Sequence, residues 1–334
     1  MKKSFVLLAC VALAFAACTE KEVERQAIGF TPLSYRSKAS KAIITDNKYP
    51  TSMSFGLYSY HTQEGGTTAI YQNNVVCSYS SDVKAFAPTP AAYWPLSGTL
   101  TFMAWSPSSQ VATYALADKQ LSITDFQVSA SASDPVDLLY AEPVKDKTLA
   151  DQTTSYTGVD NGGKGIGIVF KHALSQVIVR VKLADEYTGA IYKVTDIKLT
   201  GLKDKATLTV KENRTPIAEW STTTESGIEM GVLSGEAAVE YAASFSDAQN
   251  KGNAILVMPQ TLDSSTQQIA ITYSMTYNDV TSSATKIIDL VGTSLTKFEM
   301  GKKYYLNLTI SADQILYAPE VENWEAGETQ EYNI

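Results

Sequence analysis

The sequence predicts an all-β protein with two β-sandwich domains in tandem. First, Val177 to Leu183 alternates strictly, with Val or Leu at odd positions and Ile, Arg or Lys at even ones, as in a half-buried strand. Second, the chain contains 19 tyrosines and few stretches with helical periodicity. Third, residues 158–167 include five glycines, which predict a chain reversal and a change of domain near the midpoint.

The N-terminal residues are typical of an exported bacterial lipoprotein. Lys2 and Lys3 precede an apolar run, Phe5 to Ala17, which has the length of a signal sequence and is too short to span a membrane. Small residues end this run before Cys18, and the pattern resembles a lipoprotein cleavage motif. We therefore expect a signal peptide at 1–17, lipidation of Cys18 and a charged tether at 18–27. The alternative is a plain secretory signal with an incidental cysteine.

The first domain is predicted to cover residues 28–165. Ile28 to Ser34 is a plausible first strand, with Ile28 and Phe30 on one face, and Arg36 to Lys48 is a polar loop without periodicity. Short apolar runs separated by Pro and Gly are typical of a sandwich. The further strand candidates are Phe55–Tyr60, Leu100–Trp105, Leu121–Val128 and Val136–Tyr140.

The second domain is predicted to cover residues 166–334 and to repeat this pattern. Ile269 to Tyr277 gives the clearest alternation of the chain, and only Glu236 to Gln249 has a weak helical pattern. Besides Val177–Leu183, the strand candidates are Ile191–Leu202, Ala206–Val210, Ile255–Pro259, Ile269–Tyr277, Lys286–Val291 and Tyr304–Ile310.

Charge and cysteine content restrict the partners and the covalent chemistry. The formal net charge is −8, and it becomes −10 when Lys2 and Lys3 leave with the signal. Nucleic acid is not expected as a partner, because that binding depends on Lys and Arg at phosphates. Cys77 is the only cysteine after Cys18, so no disulfide forms within the exported chain. It follows two valines, which favours a small buried hydrophobic residue over a reactive thiol.

No residue pattern points to an enzyme, a metal site or a cofactor. His61 and His172 are too few for an ordinary zinc site, and His172 is interpreted as a structural residue that bonds neighbouring backbone. Residues 162–165 lack the spacing and the hydroxyl residue of a phosphate-binding loop. Asp134 and Asp137 are interpreted as ordinary surface acids.

Aromatic residues near the middle of the first domain allow two interpretations. Tyr93, Trp94 and Trp105 could form a flat surface on which sugar rings stack. Alternatively they fill the core of a sandwich, where large aromatic side chains supply much of the buried area. Pro95 and Pro107 fix the ends of this unit, and this favours the core.

Four stretches together resemble the fimbrillin-like proteins, which are pilus subunits of Bacteroidales. Their order and spacing extend over nearly the whole chain, and this makes the resemblance specific. The stretches are Tyr93-Trp94-Pro95 leading to Leu100–Pro107, Asp137–Ala141, Phe170-Lys171-His172-Ala173-Leu174-Ser175 with its valine-rich strand, and Gly301–Leu308 followed by Trp324. The resemblance implies that both sandwiches are transthyretin-like.

The resemblance also implies a structural function, as a stalk, tip or accessory subunit of a surface pilus. The lipid would hold the chain at the outer membrane, and the partners would be other pilus subunits and an unknown surface receptor. In fimbrillins a protease with a preference for Arg removes the first strand, and a neighbour's strand replaces it. Arg36 is the candidate cleavage site here and Arg25 the alternative, since cutting at Arg25 leaves the strand in place.

The donor would be the segment from Ile315 to Ile334. Its apolar side chains are Ile315, Tyr317, Val321, Trp324, Tyr332 and Ile334. A glycan-binding outer-membrane lipoprotein is the alternative function, and it would need an exposed aromatic surface.

Overall fold

The prediction of an all-β protein is confirmed by a computed structural model, which describes residues 25–34, 49–131, 135–153, 164–221, 227–311 and 315–324. In these ranges the only helical turns are two 3-10 turns, Leu149–Asp151 and Asp247–Gln249. The strands of the first half are β1 (Phe30–Ser34), β2 (Ser54–Thr62), β3 (Thr68–Ser80), β4 (Ala85–Thr89), β5 (Thr99–Ser106), β6 (Thr113–Ala115), β7 (Gln120–Gln127), β8 (Leu139–Ala141), β9 (Val144–Lys147) and β10 (Ile166–His172). Those of the second half are β11 (Ser175–Leu183), β12 (Ala190–Leu202), β13 (Lys205–Lys211), β14 (Ala218–Trp220), β15 (Ile228–Val239), β16 (Ile255–Val257), β17 (Gln260–Thr261), β18 (Gln268–Tyr277), β19 (Val280–Asp289), β20 (Lys297–Phe298), β21 (Lys302–Ile310) and β22 (Ile315–Asn323).

The largest sheet has eight strands in the order β2-β3-β4-β1-β10-β8-β5-β9. Strand β2 also pairs with β5, so these pairings return to their starting strand and close a circuit. Strand β1 lies in this circuit between β4 and β10, and its pairing with β10 is parallel. The first described strand of the chain is therefore the element that joins β4 to β10.

Three four-stranded sheets and one two-stranded sheet complete the described fold. Their strand orders are β16-β11-β21-β22, β15-β12-β18-β19, β14-β13-β7-β6 and β17-β20. Strands β6 and β7 belong to the first half of the chain but pair with β13 and β14 of the second half. Likewise β10, which begins at the predicted boundary, pairs with β1 and β8. The sheets do not divide at residue 165, and the two-domain division stays a prediction.

Two hydrophobic clusters form the core, and the large sheet contributes side chains to both. Because successive side chains of a strand point to opposite faces, Leu57 joins one cluster and Tyr58 the other. Phe102 and Met103 divide between the clusters in the same way. Strands β2 and β5 are consequently buried on both faces.

Several predicted elements differ from the structure. Glu236 to Gln249 was predicted as weakly helical, and this is wrong, because β15 extends to Val239 and only Asp247–Gln249 forms a 3-10 turn. The half-buried strand from Val177 to Leu183 is instead buried on both faces, with Arg180 almost fully covered. The segment around Asn250 covers Arg180 and donates a backbone hydrogen bond from Lys251 to Val179.

No helix in the described ranges is long and apolar enough to cross a membrane. The predicted signal peptide, residues 1–17, and residues 18–24 of the predicted tether lie outside those ranges, whereas residues 25–27 of the tether are described.

Candidate functional site

Strand β1 is the centre of the candidate site, because it closes the circuit of strands. Five residue pairs join it to β10, from Phe30 with Ile166 to Ser34 with Phe170. On its other side it pairs with β4 only at Phe30 and Phe86. Removal of β1 would therefore leave five residues of β10 with unpaired backbone groups along one edge.

Phe30, the first residue of β1, and Ile28, two residues before it, have fully buried side chains. Ile28 is 2% exposed and Phe30 is 0% exposed. The ring of Phe30 packs edge-on against two aromatic rings, with centroid distances of 5.1 Å to Phe102 and 6.1 Å to Phe55. Each such side chain stabilises the folded state by about 1.5 to 3 kcal/mol. Loss of the strand would open an apolar groove beside β10.

Gln152 holds the approach to β1 through both ends of its amide group. Its Oε1 accepts hydrogen bonds from the Gly29 amide at 3.3 Å and from the Trp94 indole at 2.9 Å. Its Nε2 donates to the Ala27 carbonyl at 3.2 Å. The Ile28 amide also donates to the Ala92 carbonyl at 2.9 Å. This polar cluster fixes where the N-terminal segment enters the sheet.

Gly165 allows β1 and β10 to approach each other closely. Its φ angle is +101°, a conformation that residues with a Cβ rarely adopt. A Cβ at this position would lie 2.2 Å from the Gly29 carbonyl oxygen and 2.7 Å from the Phe30 nitrogen. The side chain of Thr31 adds a hydrogen bond to the Lys164 carbonyl at 2.5 Å. A glycine is therefore required where the two strands meet.

The predicted processing residues lie on either side of this strand. Arg25 is exposed and is the first described residue. Arg36 and the lipidation candidate Cys18 fall outside the described residues. The first strand itself is confirmed, although it begins at Phe30 and not at Ile28.

The C-terminal segment is already partly paired within its own subunit. Strand β22 forms nine antiparallel pairs with β21, from Lys302 with Asn323 to Ile310 with Ile315, and is an edge strand. Leu316 and Val321 are about half exposed, whereas Ile315 and Tyr317 are partly buried against the core, so β22 has no fully buried apolar side chain. Only residues 325–334, which lie outside the described ranges, could act as a donor without breaking these pairs.

Polar contacts attach β22 to the neighbouring strands. The guanidinium of Arg180 lies 3.4 Å from the centroid of the Tyr305 ring, and its NH1 is 3.4 Å from a carboxylate oxygen of Glu320. Lys303 and the Tyr305 hydroxyl both contact Glu322, at 3.0 Å and 2.9 Å. The carboxylates of both glutamates are largely exposed to solvent, which weakens each contact.

A buried cluster follows directly after β22. Trp324 stacks on His172, with ring centroids 3.8 Å apart and an interplanar angle of 8°. The Nδ1 of His172 donates a hydrogen bond of 3.0 Å to Asp137. Asp137 was predicted as a surface acid, and this is wrong, because its carboxylate is buried with His172. His172 was expected to bond neighbouring backbone, and its partner is instead the Asp137 side chain.

A cavity of about 820 Å³ lies beside this cluster, where the large sheet meets the strands of the second half. No Ser, Thr or Cys is among its described lining residues. In the described ranges no group of three potential metal ligands occurs. The lining residues are Tyr140, Glu142, Lys171, His172, Pro216, Ile217, Ala218, Glu299, Met300, Gly301, Lys302 and Asn323.

The remaining candidate residues are structural or exposed. Trp94 and Trp105 are buried, which confirms the core interpretation for them, whereas Tyr93 is 44% exposed and that assignment is wrong. Cys77 is fully buried as predicted, and burial raises the pKa of its thiol. His61 contacts the Ser97 carbonyl at the surface.

Sequence reasoning missed Gln152 because nothing near it in the chain marks a contact with Ala27 and Gly29.

Comparison with known proteins identifies relatives of the whole fold. The model of the fimbrillin-like family matches residues 41–324. A crystal structure of a fimbrial protein from Bacteroides vulgatus is 18% identical, with a TM-score of 0.60, and the match covers 90% of this chain and 99% of that one. A candidate cell adhesion protein from Bacteroides uniformis is 17% identical, with a TM-score of 0.53 and the same two coverages. At such identities the two structures show the fold alone. No curated protein matches the chain.

Proposed function

This chain belongs to the fimbrillin-like family, and we propose that it is a structural subunit of a surface pilus that assembles by strand replacement. Cys18 carries the lipid that holds the precursor at the outer membrane, and other pilus subunits are its partners. A protease cuts after Arg36 and thereby releases β1. A segment of a neighbouring subunit then pairs with β10 in its place.

The burial of Ile28 and Phe30 is the observation that carries this proposal. Ile28 lies just before β1 and Phe30 is its first residue, and both side chains are fully buried in the hydrophobic cluster that contains Leu57. Their loss removes about 3 to 6 kcal/mol of apolar burial, at roughly 1.5 to 3 kcal/mol for each side chain. Unpaired amides and carbonyls along β10 add to the cost. The cut subunit is therefore stabilised by any extended segment that supplies two apolar side chains.

Residues 325–334 have the spacing that such a donor needs. Tyr332 and Ile334 are two positions apart, as are Ile28 and Phe30. Two apolar side chains at this spacing point to the same face of a strand. We assign Tyr332 to the position of Phe30 and Ile334 to that of Ile28, with the donor antiparallel to β10, so that residues 328–331 lie beside the rest of Ile166 to Phe170. Trp324 is buried in its own subunit and is not available as a donor side chain.

The experiment uses site-specific cleavage and two arginine variants. Limited digestion of the intact chain with a protease specific for Arg should give a new N-terminus at Ser37, read by N-terminal sequencing, together with larger species on size exclusion. The variant Arg36→Gln should lose both products, whereas Arg25→Gln should keep them. Deletion of 325–334 should keep the cut and lose the larger species. A chain that is cut at Ser37 and stays monomeric with its C-terminus intact would overturn the assembly mechanism.

A second candidate function, glycan binding, is favoured by one surface feature. Tyr71 and Tyr93 are both exposed, and the hydroxyl of Tyr71 donates to the Tyr93 carbonyl. Neighbouring exposed aromatic rings can stack on sugar rings. Glycan-array binding by the uncut monomer, lost in a double alanine variant of these tyrosines, would support this function. An uncut monomer that binds no glycan would exclude it for this surface.

A further inference from the structure

Strand β10 contacts both ends of the described chain. Its residues Ile166 to Phe170 pair with β1, and its last residue, His172, stacks on Trp324. Strand β10, which pairs with β1, therefore also contacts Trp324, the residue that directly follows β22.

Trp324 is the main apolar attachment of the C-terminal segment. It is the only buried residue of the described run 315–324, with 1% of its surface exposed, and it directly follows β22. Its backbone amide donates a 3.0 Å hydrogen bond to the Gly301 carbonyl. The other side chains of this run are exposed or half-buried. Release of Trp324 would leave β22 with its backbone pairs, its exposed polar contacts and the partly buried side chains of Ile315 and Tyr317 at its far end.

His172 is itself positioned by groups of the first half. Its ring is 4% exposed and bonds to Asp137, which lies just before β8. Strand β8 in turn pairs with β10 from Phe170 to His172. Two buried polar atoms of the cluster, Oδ2 of Asp137 and Nε1 of Trp324, have no hydrogen-bond partner among the described contacts. A displacement of β10 is therefore expected to disturb the stacking directly.

We propose that Trp324 on His172 is a latch that couples the two ends of the subunit. While β1 is in place, β10 holds the latch closed and β22 stays on β21. When β1 leaves, β10 loosens, Trp324 separates from His172, and the C-terminal segment is freed for a neighbour. This inference rests on the proposed function and adds regulation to it, since one cut would both open the groove and release the donor.

Coupling between two sites is reciprocal, and this gives two independent tests. A cut β1 that remains in place is a bound peptide of its own subunit. Its departure should loosen Trp324, and loss of the Trp324 ring should equally speed the departure of β1. A contact that is only structural would not connect the two events.

The experiment uses the full chain with a site-specific protease sequence inserted after Arg36, at a concentration where size exclusion shows a monomer. Hydrogen exchange is measured by mass spectrometry before and after cutting. We expect amide exchange in residues 315–324 to rise about fivefold or more after β1 is lost, the lower end of typical coupling between sites. Exchange in β18 and β19, which contact neither β1 nor β10 in the sheet order, should stay unchanged.

Three variants test the reciprocal direction. Trp324→Ala should speed the loss of the cut β1 peptide by about the same factor and remove the response of residues 315–324 to cutting. Trp324→Phe keeps an aromatic ring on His172 and should behave nearly as the original chain. Leu316→Ala shortens an exposed side chain of the same strand and is the matched control, with no expected effect.

Two results would overturn the latch. One is unchanged exchange in residues 315–324 although Ile166 to Phe170 has lost its protection. The other is an equal rate of β1 loss in Trp324→Ala, Trp324→Phe and the original chain. Assembly is scored separately by size exclusion at high concentration. Assembly without loosening rejects the latch alone, whereas loosening without assembly rejects the pilus mechanism and leaves the coupling.

Discussion

Replacement of Phe30 by alanine should selectively weaken the attachment of β1. The Phe30 ring is fully buried and packs against Phe55 and Phe102. The variant Phe30→Ala therefore loses both the transfer free energy of the ring and the contacts around a cavity.

The expected cost follows from the size of the deleted side chain. Phe to Ala in a packed core costs about 3 to 5 kcal/mol. Since every 1.4 kcal/mol is roughly a tenfold change, opening of β1 should become about a hundredfold to several thousandfold more frequent. The backbone pairs from Phe30 to Ser34 remain possible, so the strand should still form in the native state.

The assay is amide hydrogen exchange of β1 and β10, together with the rate of cleavage after Arg36. Phe298→Ala is the matched control, because Phe298 is also fully buried but belongs to the other hydrophobic cluster, the one that contains Tyr58, where it packs on Tyr304. Both variants should lower the melting temperature. Only Phe30→Ala should raise exchange in Ile166 to Phe170 more than in β21.

The reasoning is refuted if Phe30→Ala and Phe298→Ala raise exchange in β10 and β21 in the same proportion. That result would mean that β1 opens only when the whole protein unfolds, so a protease could not remove it selectively.

Three further predictions concern other parts of the chain. Gly165→Ala should lower the melting temperature by several degrees and loosen β1, because the added Cβ meets the Gly29 carbonyl. Gly66 also has a positive φ but has open space around it, so Gly66→Ala should lower the melting temperature less. Burial raises the pKa of Tyr304 from 10.0 to about 12, so the unfolded chain loses this proton first and the stability of the fold falls as pH rises from about 10 to 12. In denaturant titrations Tyr304→Phe should make this fall with pH less steep, and an unchanged steepness would contradict the prediction. Cys18→Ala should yield protein that lacks the acyl mass and leaves the membrane fraction. A variant that keeps the acyl mass and stays fully in the membrane fraction would contradict lipidation at Cys18.

The sequence was sufficient for the local elements but not for their partners. The spacing of Ile28 and Phe30 predicted β1 correctly, because alternation is a property of the strand itself. Eight other strands, β2 to β9, lie between β1 and its parallel partner β10 in the chain. No local pattern specifies such a long-range pairing.

Burial of polar residues was the main point at which prediction failed. Arg180 alternates with valines, and this pattern usually means an exposed face, yet Asp247 and Asn250 lie over that face and contact its guanidinium group. Asp137 and His172 bury each other for a similar reason. A sequence pattern gives the polarity of a face and does not say whether another segment covers it.

Trp324 illustrates the same limit at the candidate site. Its large ring near the C-terminus suggested a donor side chain, because an apolar residue among glutamates is expected to find a partner elsewhere. The partner is His172 of the same chain. Only the three-dimensional arrangement shows that, in the uncut subunit, the segment available for donation begins after this residue.

The most direct test of strand replacement is the exchange protection of Ile166 to Phe170 in three states of the protein. The account predicts protection in the intact monomer, loss of it in the cut monomer that lacks 325–334, and its return when cut full-length subunits assemble. The return should fail when Tyr332 and Ile334 are both replaced by Asp. Polymers in which these five amides stay unprotected would contradict the account, since β10 would then have received no replacement strand.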